Sequence, residues 1–192
     1  MPENTIKIIA GLGNPGAEYE KTRHNAGFWF IDQLLLRHNI ELKKESRFLG
    51  AVAKLTSPAG SIWLLKPMAF MNKSGHSIAK LAHFYKIPTE QILVVHDELD
   101  LPPGSVKLKQ GGGHGGHNGL RDTIAQLGNK DFHRLRLGIG HPGSKEQVVG
   151  YVLGRATQAE KIQIETAIDK TMDSIELILQ GHMQKAMNQL HS

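Results

Sequence analysis

Two residues far apart in this chain have the chemistry to move a proton. His24 sits in Lys21-Thr22-Arg23-His24-Asn25, just ahead of a helical stretch. Imidazole titrates near neutral pH and takes a proton from water once a neighbour fixes its tautomer. Asp97 follows the apolar run Ile92-Leu93-Val94-Val95, where burial favours pairing a carboxylate with an imidazole; Glu98 and Asp100 compete with it for that role. Carboxylate, imidazole and water together repeat the logic of a hydrolytic triad, with water in place of serine. No Gly-x-Ser-x-Gly elbow occurs and the chain has no cysteine, which disfavours a serine nucleophile and excludes a thiolate one. The plain alternatives are a loop carbonyl as the partner of His24, and a turn or cap role for Asp97.

Around these two lie groups suited to recognition. Asn14, Asn72 and Asn118 each carry a neutral amide that donates and accepts, which suits a peptide unit or an oxyanion; Asn is also an ordinary turn and cap residue. Phe70 and Met71 beside Asn72 are equally suited to a core. Gly111 to Gly119 contains six glycines in nine positions, a composition that folding alone does not explain. A helix is expected from Leu120 to Leu127 with Asn118 as its cap, so bare backbone N–H groups would face an anion or a carbonyl oxygen. Lys107 and Lys109 share one face of a strand, as do Arg134 and Arg136 on another. They form either a solvated face or a phosphate track leading to the glycines.

Two rival chemistries are tested by context. Gly11-Leu12-Gly13-Asn14-Pro15-Gly16 fits a dinucleotide fingerprint, but the helical pattern starts only near Ala26, and Asp32 lies inside that helix rather than after a second strand. A zinc set could draw on His96, Asp97, His114 and His117, yet glycine-rich backbone holds ligands poorly and no His-Glu-x-x-His pair occurs.

These groups need a frame. The chain has 192 residues, 40% of them hydrophobic, enough for one domain with a sizeable core. Strands are expected at Thr5 to Ala10, Ala51 to Leu55, Ile62 to Leu65, Ile92 to Val95, Val106 to Lys109 and Leu135 to Ile139. Helices are expected at residues 26 to 38, Ser74 to Tyr85 and Ala159 to Leu179, the last with Ile164, Ile168, Met172, Ile175 and Leu179 on one stripe. The alternation predicts an α/β fold: a single domain over residues 1–192, with a twisted mixed β-sheet flanked by helices. No apolar run approaches the ~18 residues of a membrane span. Met1-Pro2-Glu3-Asn4 lacks a signal-peptide start, so the expectation is a cytoplasmic protein without a membrane partner. A net charge of +5 and a pI near 9.4 lean towards an anionic partner such as nucleic acid.

Taken in order, several segments resemble the bacterial peptidyl-tRNA hydrolases. They are Gly11 to Gly16, Tyr19 with Thr22-Arg23-His24-Asn25, Lys66-Pro67 with Phe70 to Gly75, His96 to Pro102, the glycine loop through Leu120, and Phe132 to Pro142. The likeness spans about residues 5 to 155, with the helical tail less distinctive. It implies a metal-free, cofactor-free monomeric esterase that cleaves the bond between a peptide and the terminal ribose of tRNA, so its partner is peptidyl-tRNA. By position it makes His24 the general base, Asp97 its orienting partner, and Asn14 the group that recognises the peptide and rejects free aminoacyl-tRNA. Tyr19, Phe70, Asn72 and Asn118 would line the substrate site, while Lys107, Lys109 and Arg136 would meet phosphates. Of the pair Arg134 and Arg136, the resemblance assigns Arg136. An inert RNA-binding module and a metal-dependent hydrolase remain the competing readings.

Overall fold

The computed structural model describes residues 5–191. Seven strands form one sheet: β1 (Ile8–Gly11), β2 (Lys43–Glu45), β3 (Gly50–Ser57), β4 (Gly60–Pro67), β5 (Ile92–Glu98), β6 (Val106–Gln110) and β7 (His133–Gly138), in the order β2-β3-β4-β1-β5-β7-β6. The strands β4, β1, β5 and β7 run parallel, whereas β2, β3 and β6 pair antiparallel at the two edges. The sheet is therefore mixed, as the sequence predicts.

Period-two alternation sends each strand's apolar residues to two separate cores. Ile9, Leu64, Leu93 and Leu135 pack under α1 (Ala26–His38), α5 (Gln158–Met172), α6 (Ile175–Leu179) and α7 (Met183–Leu190). On the other face Ile8, Ala10, Leu65 and Val94 pack under α2 (Ser74–Phe84) and α3 (Asn118–Leu127). A short helix, α4 (Val148–Val152), completes the set. Among the described residues no helix is long and apolar enough to cross a membrane.

Helix α1 begins at Ala26, where the apolar pattern starts, and ends at Asn39 in a left-handed cap. The glycines of the supposed dinucleotide motif serve packing instead. A Cβ on Gly11 would stand 2.3 Å from the Gly27 carbonyl oxygen, and one on Gly27 would stand 2.5 Å from Leu12 N. They let strand and helix backbones touch, while the helix that should open at the glycines starts only after two short 3-10 turns.

Three expectations are corrected. The helix expected from Ala159 to Leu179 is broken at Asp173–Ser174, where N–H groups bond three residues back and tighten the turn, although Ile164, Ile168, Met172, Ile175 and Leu179 are all buried. The strand after the apolar run extends through His96 and Asp97 to Glu98, so these residues lie in β5 and not in a loop. The cap of α3 is His117, whose ring accepts from Gly119 N and Leu120 N, and Asn118 is the first helical residue.

Candidate active site

Residues from both core faces meet beyond the carboxyl ends of β1, β4 and β5, around a cleft of about 1040 Å³. Asn14, Tyr19, His24, Phe70, Asn72, Asp97, Asn118, Lys109 and Arg136 all line it. Of the residues expected at the site only Lys107 does not; it faces a separate groove with Lys170 and His191.

His24 sits in a 3-10 turn over Arg23–Asn25 that leads directly into α1. That turn is fixed from three sides. Arg23 makes a two-pronged ion pair with Glu160, its Nε at 3.1 Å from Oε2 and NH2 at 2.9 Å from Oε1. Its NH1 donates to the Tyr151 carbonyl at 2.9 Å. Asn25 accepts from Asn14 N at 2.8 Å and donates back to Asn14 O at 3.0 Å. Positioned so, His24 Nδ1 lies 2.9 Å from Asp97 Oδ2. A neutral His24 therefore donates from Nδ1, and the lone pair of Nε2 is left to the cleft, as a general base requires.

Asp97 is shared. Its Oδ1 lies 2.9 Å from Nε2 of His117. Because Nδ1 of His117 accepts backbone N–H groups at 3.1 and 3.3 Å, the neutral ring carries its proton on Nε2 and donates to Asp97. Burial alone would push the Asp97 carboxyl up, but the charges of His24 and His117 and their hydrogen bonds outweigh it and hold it well below the usual carboxylate range. For His24, burial opposes the charged ring, yet the Asp97 charge and hydrogen bond prevail and raise it above 6.5. At the neighbouring His96 the Asp97 carbonyl and charge also favour the protonated ring, but they are outweighed. Burial first, then the charge of His117, lowers it to about 3, so it stays neutral while its Nδ1–H donates to Asp97 O at 2.7 Å.

The amides are pinned rather than loose. Asn14 Oδ1 accepts from Met71 N at 2.7 Å, and Asn118 Oδ1 accepts from Arg121 NH1 at 2.9 Å. With their oxygens held, both side chains turn their NH₂ groups away from those bonds. Tyr19 and Phe70 meet edge to face with ring centroids 6.2 Å apart, and Phe70 is 58% exposed on the cleft wall.

Both arginines border the cleft, but they are held differently. Arg136 ties its Nε to Glu98 Oε1 at 2.9 Å and lines the cleft. Arg134 is 1% exposed and points under the glycine loop. A metal could be imagined at His24, Asp97 and His117, whose candidate ligand atoms lie within 4.8 Å of one another. Hydrogen bonds from both rings to the two carboxylate oxygens account for that spacing. His117, Asn25 and Arg134 are the residues absent from the expected site. His117 left a signal as a histidine before a helix and Arg134 as the strand partner of Arg136, whereas nothing in the sequence marked the bonds Asn25 makes to Asn14.

Comparison with known proteins places the chain in a family. The peptidyl-tRNA hydrolase family model matches residues 8–192. The chain is similar to peptidyl-tRNA hydrolase of Neisseria meningitidis, 56% identical over 98% of each chain. It is also similar to that of Erwinia tasmaniensis, 56% identical over 97% of this chain and 96% of the relative. The crystal structure of peptidyl-tRNA hydrolase from Acinetobacter baumannii superposes with a TM-score of 0.92 at 50% identity, covering 96% of this chain and 94% of that one.

Proposed function

This chain belongs to the peptidyl-tRNA hydrolase family and is a hydrolase of peptidyl-tRNA; we propose that His24, oriented by Asp97, activates the water that cleaves the ester at the 3′-terminal ribose. Its task is then to recycle tRNA from peptidyl-tRNA released before translation is complete. One observation carries the mechanism: the 2.9 Å bond from His24 Nδ1 to a buried Asp97 leaves Nε2 as the base facing the cleft.

Water gives its proton to His24 Nε2 and its oxygen attacks the ester carbonyl. The charge that gathers on the carbonyl oxygen is met by the NH₂ groups of Asn14 and Asn118, already oriented by the bonds at their Oδ1 atoms. As the intermediate collapses, the C–O bond to the ribose breaks and the imidazolium returns its proton to the ribose oxygen. Asp97 stays ionised throughout and stabilises the imidazolium. An ester is more easily cleaved than an amide, so this machinery works without a covalent intermediate or a metal.

Asn14 and Asn72 read the peptide, with Tyr19 and Phe70 as the apolar wall, and Asn14 discriminates against free aminoacyl-tRNA. Lys109 and Arg136 lie where the cleft meets a phosphate chain, and Lys107 extends the track along β6. The protein acts as a cytoplasmic monomer. Among the described residues no helix is long and apolar enough to cross a membrane.

The test is direct. Purified protein incubated with an N-blocked aminoacyl-tRNA should release free tRNA, and His24→Ala should lose about 10²- to 10⁴-fold in rate while still binding. Cleavage by the variant at the wild-type rate removes His24 as the base. Binding without cleavage by the wild-type protein returns the chain to an RNA-binding module.

A further inference from the structure

Arg134 is among the largest fully enclosed side chains of the protein, and it carries a charge. Among the described residues no carboxylate forms an ion pair with it. Instead its guanidinium lies over the Phe132 ring at 4.5 Å, NH1 donates to Gly113 O at 2.5 Å, and NH2 donates to Gly112 O at 2.5 Å. A buried cation is costly unless its donors are satisfied, so this placement calls for a reason beyond packing.

The reason lies in what the loop carries. From Gly113 the backbone runs four residues to His117, whose Nε2–H holds Asp97 and whose Nδ1 caps α3, and then to Asn118. Glycines of this loop take the left-handed backbone angles that favour glycine, with φ of +100° at Gly112, +57° at Gly115 and +83° at Gly116. Cβ atoms added at Gly113, Gly115 or Gly116 would meet nothing within 4 Å, so packing does not hold this stretch. Its fixed points are the Gly111 N bond to Phe132 O at 3.1 Å, the Arg134 guanidinium, a turn in which His114 O accepts from His117 N and His114 Nδ1 from Gly116 N, both at 2.9 Å, and His117 at the far end.

We propose that Arg134 is a positioning residue of the hydrolase: it draws the Gly112 and Gly113 carbonyls inward and so holds the glycine loop where His117 stays on Asp97 and Asn118 stays at the cleft. Arg134 touches neither substrate nor phosphate. This inference rests on the hydrolytic reading of the cleft for its kinetic consequence, though not for its structural one.

Two variants test it. Arg134→Met keeps a long apolar stem over Phe132 and removes the donors, and Arg134→Lys keeps one charge that reaches one carbonyl. The expected result is a fall in kcat of about 10- to 100-fold for Arg134→Met, partly restored in Arg134→Lys. KM for an N-blocked aminoacyl-tRNA and the salt dependence of tRNA binding should stay within twofold of wild type. NMR should show the hydrogen-bonded ring proton of His117 lost in Arg134→Met while that of His24 persists. The NMR signature needs no turnover, so it tests the strap even if the wild-type protein proves not to cleave peptidyl-tRNA. Should Arg134→Met be too unstable to measure, Arg134→Lys must show the same weakening of the His117 proton in smaller degree. A His117 proton unchanged in both variants overturns the proposal. So does a binding loss with a flattened salt slope, which would make Arg134 a phosphate ligand.

Discussion

The two loops that meet at Asp97 are held in opposite ways. The first, residues 12–25, is knitted by its own side chains. Asn25 exchanges two bonds with Asn14, Thr22 Oγ1 donates to Tyr19 O, Trp29 Nε1 donates to Glu20 O, and Arg23 reaches Glu160. Gly11 at its threshold is needed because there is no room for a Cβ, and its φ is not positive. The second loop, from Gly111 to His117, has few anchors; Gly113, Gly115 and Gly116 stand in open space, and at Gly112 a Cβ would crowd only the flexible end of Lys109. One loop fixes His24 redundantly. The other brings His117 to the same carboxylate and Asn118 to the cleft, with only the His114 turn and Arg134 holding it between its ends. Redundant bonds suit a group whose proton transfer demands one geometry, whereas sparse anchoring suits a wall that closes on substrates of varied peptide.

Asp97 joins the two loops, so cutting both ties at once should have the largest effect. Asp97→Asn keeps the shape but no longer fixes the His24 tautomer or stabilises its imidazolium, and kcat should fall by about 10²- to 10⁴-fold. The pH profile sharpens the point. In the wild-type protein His24 is raised above 6.5 by Asp97, so kcat/KM should fall as pH drops through a midpoint above 6.5 and the base becomes imidazolium. Without the carboxylate, burial is left to act alone, and the acid limb of the residual activity should move below 6.5. A limb that stays where it was would assign the kinetic group to some residue other than His24.

The next effect is on stability and separates the loops directly. Gly11→Ala places a Cβ 2.3 Å from a backbone oxygen that no side-chain rotation can relieve. It should cost about 3 kcal/mol, the upper end of overpacking. Gly115→Ala, at φ +57° in open space, should cost only about 1 kcal/mol, the penalty of a left-handed residue with a Cβ. Urea unfolding of the two variants measures both. Equal costs would mean that the loops are held alike.

The same contrast decides what could be read from the residues alone. His24 and Asp97 could be singled out because one precedes a helical pattern and the other follows the apolar run Ile92–Val95, although the strand itself continues through Asp97 to Glu98. Helix α1 matched its expected bounds because its apolar spacing is long and regular. The partners that fix the first loop were not legible. Arg23 and Glu160 are 137 residues apart, and no periodicity links them. His117 was passed over as a cap because Ser, Thr, Asp and Asn fill that position far more often, leaving Asn118 the better statistical choice. Strand β2 reads Lys-Lys-Glu and joins the sheet through backbone pairing, so its side chains carry no strand pattern. Helix α4 is five residues long with Val149 68% exposed, too short and too open to show a face.

The smallest effect concerns the floor on which the second loop rests. Strand β6 pairs with β7 so that Lys107 lies opposite Arg136 and Lys109 opposite Arg134, placing all four cations on one face. Arg134 is used up beneath the glycines and Arg136 is tied to Glu98, so the lysines are the freer charges for a phosphate chain. Lys109 lies in the cleft beside the loop, its Nζ 2.6 Å from where a Cβ on Gly112 would stand, whereas Lys107 faces the neighbouring groove. Lys109→Ala should therefore reduce the slope of log binding constant against log salt by about 0.7 to 0.9, the share of one phosphate contact, with kcat nearly unchanged. Lys107→Ala should reduce it by no more than that. Were Lys109→Ala instead to lower kcat with the salt slope intact, the lysine would belong with Arg134 as a support of the glycine loop, and the second loop would be anchored at one more point than its hydrogen bonds reveal.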